Sequence, residues 1–310
     1  MNIIGPDILR FAVPNFEDCC QFLTDYGLMP QRMEDGHIFF SALDGTGIAL
    51  YQDNATQLPE ALSTGSALRQ QVYGVESTND LEMIYTELSS DREVKRLEDG
   101  SLETQDDCGF SLKFQVTIRQ PLSLEHEKIN APGAEAQRQP NELGLPPNMV
   151  FRPRTLSHVV LFVPDASKAT DFYCQRLGFQ VTDVLLGAGS FLRPKANDDH
   201  HTLFMIETPP FMQGIEHFAF HMAGPTEVII AGTRFIEAGY QPFWGPGRHN
   251  FGSNWFWYFN SPLGCHVEYD ADMDKHDERW QPRQIPFSAE ASQRFLLQYA
   301  EKWAPGADKK

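Results

Sequence analysis

The feature that most restricts the fold of this chain is an internal repeat. Residues 8–28 read ILRFAVPNFEDCCQFLTDYGL, and residues 156–179 read LSHVVLFVPDASKATDFYCQRLGF. Each stretch has a short apolar run, then Val-Pro-Asn or Val-Pro-Asp, then apolar residues at helical spacing and a glycine. Each half also closes on a glycine followed by an alternating strand pattern, at 109–114 and 264–269. Two copies of one α+β unit are therefore expected, and a chain of 310 residues suits two domains.

The repeat divides the chain into four parts. We predict a first domain over 1–120, a linker over 121–153, a second domain over 154–275 and a tail over 276–310. The linker is rich in Pro, Asn, Gln and Glu, which is typical of connecting segments. The tail is expected to end in a helix near Ser288–Trp303 that packs on the protein or contacts another subunit.

The helices of the two halves have recognisable patterns. Asn15 and Asp165 are expected to cap the first helix of each half, because a short polar side chain can accept hydrogen bonds from the free amides of a first turn. Second helices are predicted over about Asp80–Leu88 and Glu227–Glu237.

Composition and charge exclude several classes of function. A formal net charge of −17 argues against nucleic acid or an anionic membrane surface as a partner, because both require a positive surface. No apolar run approaches the roughly 20 residues of a membrane helix, and the N-terminus lacks the pattern of a secretory signal. Five scattered cysteines fit reduced thiols better than a disulfide framework. A cytoplasmic protein is the expectation.

Histidine is concentrated in the second half. Of the 10 histidines, only His37 and His126 precede residue 150, so chemistry that uses imidazole is expected after it. Strand alternation places His158 on an apolar face, where a lone histidine is more often a buried core residue than a ligand. Two further strands, GIEHFAFHM at 214–222 and GCHVEYD at 264–270, each add one candidate ligand on the face predicted to point inward.

His158, His217 and Glu268 are the predicted metal ligands. Two neutral imidazoles and one carboxylate can hold a divalent cation and leave adjacent coordination positions open, as in the facial triad of non-haem Fe(II) oxygen chemistry. Zinc accepts the same ligands and is the simpler alternative. Alone, Glu268 could be a surface carboxylate on an edge strand, but its apolar neighbours Val267 and Tyr269 favour an inward position.

The first half lacks these ligands. Aligning the repeats puts Ile8 at the first ligand position and Lys113 at the carboxylate position, while the second histidine position falls near Val72. A protonated lysine does not hold a divalent cation. The N-terminal domain is therefore predicted to be structural.

Two longer segments supply further candidates. DDHHTLFMI at 198–206 contains His201, and GPGRHNFGSNWFWYFNSPLGCHVEY at 245–269 contains His249 and Tyr258. Singly they could be a loop histidine, a turn residue and one more aromatic in a strand. Together they suit proton transfer, because imidazole titrates near neutral pH and a phenol can donate a hydrogen bond to a developing oxyanion.

The repeat and these motifs resemble the vicinal oxygen chelate superfamily, and within it the type I extradiol dioxygenases, such as 2,3-dihydroxybiphenyl and catechol 2,3-dioxygenases. The resemblance implies two tandem domains, each built from repeated βαβββ modules, with the metal in the C-terminal one. It implies Fe(II), with Mn(II) possible, and extradiol cleavage of a substituted catechol by O2 to a muconic semialdehyde-type product. It also implies a homo-oligomer, with His201 as the acid/base residue and with His249 and Tyr258 bonded to substrate oxygens.

Several alternatives stay open from the sequence. His221 and His266 share strand faces with predicted ligands and are assigned to supporting or structural positions, and the function of His200 is undecided. A glyoxalase-type isomerase needs a four-ligand site shared between modules, which Ile8 and Lys113 deny. A keto-acid dioxygenase keeps the triad but is normally longer and ends in a glycine-rich helix. A small-molecule binding protein on the same scaffold would be expected to lack the catalytic residues.

Overall fold

The computed structural model of the chain describes residues 1–146, 149–288 and 290–297. The N-terminal half contains β1 (Ile3–Val13), α1 (Phe16–Asp25), β2 (Met29–Arg32), β3 (Ile38–Ser41), β4 (Gly47–Gln52), β5 (Leu68–Val75), α2 (Thr78–Leu88), β6 (Lys95–Arg96), β7 (Leu102–Gln105) and β8 (Ser111–Val116). The C-terminal half contains β9 (Thr155–Val163), α3 (Ala166–Asp171) followed by a π-helical turn (Phe172–Arg176), β10 (Phe179–Leu186), β11 (Gly189–Pro194), β12 (Leu203–Glu207), a 3-10 turn (Pro210–Met212), β13 (Gly214–His221), α4 (Pro225–Glu237), β14 (Pro242–His249), β15 (Trp255–Asn260), β16 (His266–Ala271), β17 (Arg283–Pro286) and β18 (Gln293–Leu296).

Each half is one sheet made of two βαβββ units. Within the described residues, the first sheet has eight strands in the order β2-β3-β4-β1-β5-β8-β7-β6. The second sheet has ten, in the order β17-β10-β11-β12-β9-β13-β16-β15-β14-β18. Without β17 and β18 the two orders are the same. The predicted α+β fold of tandem repeats is confirmed.

The register of the second sheet brings the predicted ligands to one face. Ala219 of β13 pairs with His158 of β9 on one side and with Glu268 of β16 on the other. Directly paired residues point to the same face of a sheet, and so do residues two apart on one strand. His158, His217 and Glu268 therefore share a face around the small Ala219 side chain.

The first sheet repeats this register with other residues. Val72 of β5 pairs with Ile8 of β1 and with Lys113 of β8, so Ile8 and Lys113 stand where two ligands stand in the second sheet. The position equivalent to His217 belongs to Gln70, so the predicted match near Val72 is displaced by two residues. The loop before β5 is longer than the loop before β13, so counting residues along the chain does not align the two strands.

The ends of the helices agree in part with the predictions. The Asp165 side chain caps α3 by accepting a hydrogen bond from the Lys168 backbone N–H at 2.8 Å. The Asn15 side chain makes no capping hydrogen bond to α1, and its amide nitrogen donates to the Pro262 carbonyl at 3.0 Å. Asn15 therefore joins the N-terminal half to the turn before β16. Helices α2 and α4 each begin two residues earlier than predicted.

The tail differs from the prediction. In place of a helix near Ser288–Trp303, Gln293–Leu296 form strand β18, which pairs antiparallel with β14. Strand β17 pairs parallel with β10 at the other edge of the sheet. The remainder of the predicted helix, from residue 298 on, lies outside the described residues. The described tail therefore extends both edges of the second sheet.

The two halves share one apolar core. Phe11 of β1 packs against Phe218 of β13, with ring centroids 5.8 Å apart. Tyr26, at the end of α1, stacks on Tyr269 of β16 at 4.1 Å, and its hydroxyl donates to the Glu268 carbonyl at 2.6 Å. The N-terminal half thus supports the strand that carries a predicted ligand.

The described part of the predicted linker, 121–146 and 149–153, has no helix or strand. None of the helices in the described ranges is long and apolar enough to cross a membrane.

Candidate metal and catalytic site

Three buried ligand atoms converge on the inner face of the second sheet. Nε2 of His158 lies 3.2 Å from Nε2 of His217 and 3.0 Å from Oε2 of Glu268. Nε2 of His217 lies 3.4 Å from the same oxygen. Ligands about 2.1 Å from one ion and at right angles to each other are separated by about 3.0 Å. The spacing of the three atoms therefore fits one face of a coordination sphere.

The ring orientation of His158 is set by a hydroxyl and a carboxylate. Its Nδ1 lies 2.9 Å from Ser157 Oγ, which in turn donates to Asp270 Oδ2 at 3.0 Å. Because the hydroxyl proton goes to the carboxylate, Ser157 accepts the Nδ1–H of His158. The Nε2 of His158 is then left with a lone pair that points at the other ligands.

The second predicted ligand, His217, contacts a carboxylate directly. The Nδ1 of His217 contacts the Glu216 carboxylate, which also accepts from Nδ1 of His266 at 2.7 Å. Glu216 would point to the opposite face in a regular strand. The register shift between Ile215 and His217 brings it beside the ligand, because such an irregularity redirects side chains.

These contacts leave the lone pairs of His158 Nε2, His217 Nε2 and Glu268 Oε2 pointing toward one another. Neither carboxylate oxygen of Glu268 has a hydrogen-bond partner within the described part of the chain, although the side chain is fully buried. Burial lowers the pKa of His217, but the carboxylates of Glu216 and Glu268 outweigh it and raise that pKa to about 9. In the metal-free protein a proton therefore occupies the place of a cation. The donor set fits a divalent metal ion.

His201 lies beside the ligands. Its ring centroid is 4.3 Å from that of His158, and it lines the same cavity. Burial, with the nearby imidazoles of His158 and His200, holds the pKa of His201 well below its usual value. The imidazole is therefore neutral and able to accept a proton.

His249 and Tyr258 form a pair on the other side of the cavity. Nδ1 of His249 donates to the Ser292 carbonyl at 2.7 Å, so its Nε2 accepts from the Tyr258 hydroxyl at 3.2 Å. Burial and the Glu268 carboxylate raise the pKa of Tyr258 well above its usual value, so this phenol stays protonated. Ser292 belongs to the tail, which therefore helps to build the site.

The space above these residues is an apolar cavity of about 230 Å³. Besides the residues already named, its lining is mainly aliphatic and aromatic, with Leu185, Phe191, Phe204, Ile206, Trp244 and Phe251 among its members. No lysine or arginine is found among the described residues that line it.

His221 and His266 each contact a carboxylate that supports a predicted ligand histidine. Asp270 acts on His158 through Ser157, and Glu216 contacts His217 directly. His221 lies 2.8 Å from Asp270, the carboxylate that holds Ser157, and His266 contacts Glu216. Burial lowers the pKa of His221, but Asp270 and Asp199 raise it to about 10. Their positions fit the supporting assignment made from the sequence.

Sequence reasoning did not identify several residues that support the site. They are Ser157, Glu216, Asp270 and Ser292, together with Asp183, which contacts His200. Glu216 and Asp270 are acidic residues close in sequence to predicted ligands, and this proximity could have identified them. The other contacts depend on pairings across the sheet or with the tail.

Comparison with known proteins identifies the second half. Residues 155–269 match the family model for the Glyoxalase/Bleomycin resistance protein/Dioxygenase superfamily. The matched stretch runs from the start of β9 into β16 and contains the three converging ligands. The predicted resemblance is confirmed, and residues 155–269 form a domain of this superfamily.

Two similar sequences each match less than half of the chain. Metapyrocatechase 2 of Cupriavidus necator is 38% identical over 39% of this chain and 38% of its own length. Biphenyl-2,3-diol 1,2-dioxygenase of Paraburkholderia xenovorans is 34% identical over 40% of this chain and 43% of its own length. The chain therefore spans less than half the length of these curated relatives in the matches.

Similar solved structures extend over both halves. The structure of BphC, a halotolerant catechol dioxygenase, aligns with a TM-score of 0.73 and 18% identity, covering 96% of this chain and 95% of that one. The Mn(II)-bound glyoxalase from Novosphingobium aromaticivorans aligns with a TM-score of 0.72 and 20% identity, covering 95% of this chain and 91% of that one. At these identities the likeness concerns the fold.

Proposed function

We propose that this chain, whose second half is a domain of that superfamily, cleaves a substituted catechol by extradiol attack of O2. The metal would be Fe(II), held by His158, His217 and Glu268. The observation that carries the proposal is that the three ligand atoms converge, and that His158 and His217 line one apolar cavity with His201 and the His249–Tyr258 pair. The dioxygenase names of the sequence relatives support it.

The groups around the cavity would contribute a bound metal, proton transfer and hydrogen-bond donation to this reaction. Bound Fe(II) would supply adjacent sites for catechol and O2 and a path for electrons between them. His201 is neutral, so its cavity-facing ring nitrogen can take a proton from a catechol hydroxyl and later return it to oxygen. Tyr258 keeps its proton and can donate a hydrogen bond to a developing oxyanion.

The overall reaction balances without a reductant. One carbon–carbon bond of the ring beside the diol breaks, both atoms of O2 enter the product, and the product is a muconic semialdehyde. A cavity lined by apolar side chains favours this outcome, because it keeps water and competing reactions from the ring.

We propose that the ring substituent is apolar. No basic side chain among the described lining residues is available to pair with a carboxylate. Arg248, which precedes His249 in the chain, is instead bonded to Asp272 at 2.7 Å. Leu185, Phe191 and Phe204 offer an apolar surface suited to an alkyl or aryl group.

The proposal is tested by an oxygen-uptake and absorbance assay. Protein loaded anaerobically with Fe(II), and in parallel with Mn(II), is mixed with 2,3-dihydroxybiphenyl, 3-methylcatechol, 4-ethylcatechol or 3,4-dihydroxyphenylacetate and then given O2. We expect one O2 consumed per catechol and a yellow product, with the carboxylated compound the poorest substrate. His201→Gln is expected to lower kcat by about 10²-fold or more while the metal stays bound.

Two outcomes would contradict the proposal in different ways. Bound metal with no oxygen uptake from any catechol would leave the metal site and reject the reaction. Rapid turnover of 3,4-dihydroxyphenylacetate alone would keep the reaction and reject the apolar substituent.

A further inference from the structure

His201 is the last member of a buried chain of hydrogen-bonding groups. Its Nδ1 lies 3.0 Å from Nδ1 of His200, and Nε2 of His200 lies 2.7 Å from Oδ2 of Asp183. All three side chains are buried. Asp183 comes from β10 and the two histidines from the segment before β12, so the chain joins separate elements.

The end of the chain away from the cavity is a carboxylate held by an arginine. Arg283 of β17 donates to Asp183 through its backbone N–H at 2.8 Å and through its guanidinium, with Nη2 at 2.5 Å. Burial raises the pKa of Asp183, but His200 and Arg283 outweigh it and lower that pKa. Asp183 is therefore ionised and can only accept hydrogen bonds.

The ionised carboxylate determines where the protons lie. His200 must donate its Nε2–H to Asp183. Burial lowers the pKa of His200, so the ring is neutral and its Nδ1 carries no proton. That nitrogen can only accept, so the hydrogen bond between the two rings requires an Nδ1–H on His201.

We propose that His200, held by Asp183, is a positioning residue that keeps His201 in the Nδ1–H form, with the lone pair of Nε2 free for the substrate. This rests on the proposed function insofar as it gives His201 a proton to accept. The tautomer itself follows from contacts that include no metal and no substrate.

The packing around His200 holds its ring in this orientation. Its backbone N–H donates to the Asp274 carbonyl at 2.8 Å. Gly252 lies against the ring: a Cβ at this position would stand 3.1 Å from Nδ1 of His200, and the glycine has a φ of +72°. The Phe191 ring lies on another side, with centroids 5.3 Å apart. The ring therefore has little room to turn away from His201.

Without the acceptor on His200, no hydrogen bond from its ring stabilises the Nδ1–H tautomer of His201. With the proton on Nε2, His201 would present a donor to the substrate and could not act as a base. The effect would fall on the chemical step rather than on substrate binding, so kcat would fall with little change in KM.

A matched pair of variants isolates the acceptor. His200→Asn can place an amide oxygen near the position of Nδ1, whereas His200→Leu has a similar shape and no acceptor. In the full-length chain labelled with ¹⁵N-histidine, with and without Zn(II), long-range ¹H–¹⁵N spectra report the tautomer, and His201→Gln identifies the resonance. We expect the Nδ1–H form in the wild type and in His200→Asn, and the Nε2–H form in His200→Leu.

Kinetics of the Fe(II)-loaded proteins give a second readout. We expect His200→Leu to lose about 100-fold in kcat and His200→Asn to stay within about tenfold of the wild type, with similar KM values. An Nε2–H tautomer of His201 in the wild type overturns the inference. So does an unchanged tautomer in His200→Leu. Because the spectra need no turnover, the correct tautomer in an inactive protein would reject the proposed function and leave this inference standing.

Discussion

The two halves of the molecule share a strand order and a register but differ in the side chains at the equivalent positions on the inner face of each sheet. At the positions where the second sheet has two imidazoles and a carboxylate, the first sheet has Ile8, Gln70 and Lys113. The backbone alone therefore does not make a metal site. What differs is whether the polar side chains on this face have partners.

In the first sheet these polar groups are paired. Gln70 donates to Glu103 at 2.5 Å and to Ser111 at 3.0 Å. Lys113 donates to Asp99 at 2.9 Å. In the second sheet the carboxylate oxygens of the predicted ligand have no hydrogen-bond partner among the residues the structure describes. Buried lone pairs are costly without a cation, so their convergence indicates binding, whereas paired groups indicate a structural half.

The largest contrast is expected when the equivalent residues Glu268 and Lys113 are changed. Glu268→Gln keeps the shape but removes the charge, so we expect no stoichiometric metal and no turnover. Lys113→Met removes an ion pair with the exposed Asp99. It should leave the metal content and the turnover of the protein unchanged. Atomic emission on desalted protein measures metal per chain. Full iron occupancy in Glu268→Gln, or loss of iron in Lys113→Met, would contradict the assignment of the metal site to the second sheet.

The next effect is the pH dependence of metal affinity. In the metal-free protein Glu216 and Glu268 overcome the effect of burial and raise the pKa of His217 to about 9. Below this pH a proton must leave before the metal binds, so affinity should fall about tenfold per pH unit, or about 100-fold from pH 9 to pH 7. Competition titrations with Zn(II) and a chelator measure it. A constant affinity over that range would contradict the assignment of His217.

A smaller effect is expected for the carboxylate that holds His217. Glu216→Gln should weaken metal binding by about 10- to 100-fold, because the imidazole loses an ionised partner. The matched change in the first half is Glu103→Gln, at the partner of Gln70, which should leave metal affinity unchanged. The same titrations compare them, and equal losses in both variants would argue for a general effect on folding.

The smallest effect concerns the support that the first half gives the second. Tyr26→Phe removes the donor to the buried Glu268 carbonyl and should lower the free energy of unfolding by about 1–3 kcal/mol. Tyr240→Phe, which removes a hydroxyl bonded to the exposed Asp25, should cost less. Urea denaturation of both variants checks the order, and the reverse order would remove Tyr26 as a link between the halves.

The repeat, its βαβββ units and the clustering of the predicted ligands could be anticipated from the sequence. His158, His217 and Glu268 stand in short local motifs, and strand alternation is enough to give each of them a face. The position predicted near Val72 is two residues away, at Gln70, because the loop before β5 is longer than the loop before β13. Glu216 was missed because only the irregular pairing of β13 brings its side chain beside His217.

Contacts distant in sequence could not be predicted. The sequence of the tail suits a helix as well as a strand, and the choice of strand depends on the free edges of β10 and β14. The contacts of Ser292 with His249 and of Asp183 with His200 follow from that placement and from sheet pairing. These residues orient side chains that are predicted to be catalytic, but no local motif in the sequence indicates them.

Labelling of O2 with ¹⁸O tests the proposed ring cleavage most directly. Fe(II)-loaded protein is given 2,3-dihydroxybiphenyl and ¹⁸O2, the aldehyde is reduced at once to prevent exchange with water, and the product is analysed by mass spectrometry. We expect a ring-opened product that carries both labelled oxygen atoms. A quinone with an intact ring and no label would contradict this expectation, because the protein would then oxidise the catechol without cleaving it.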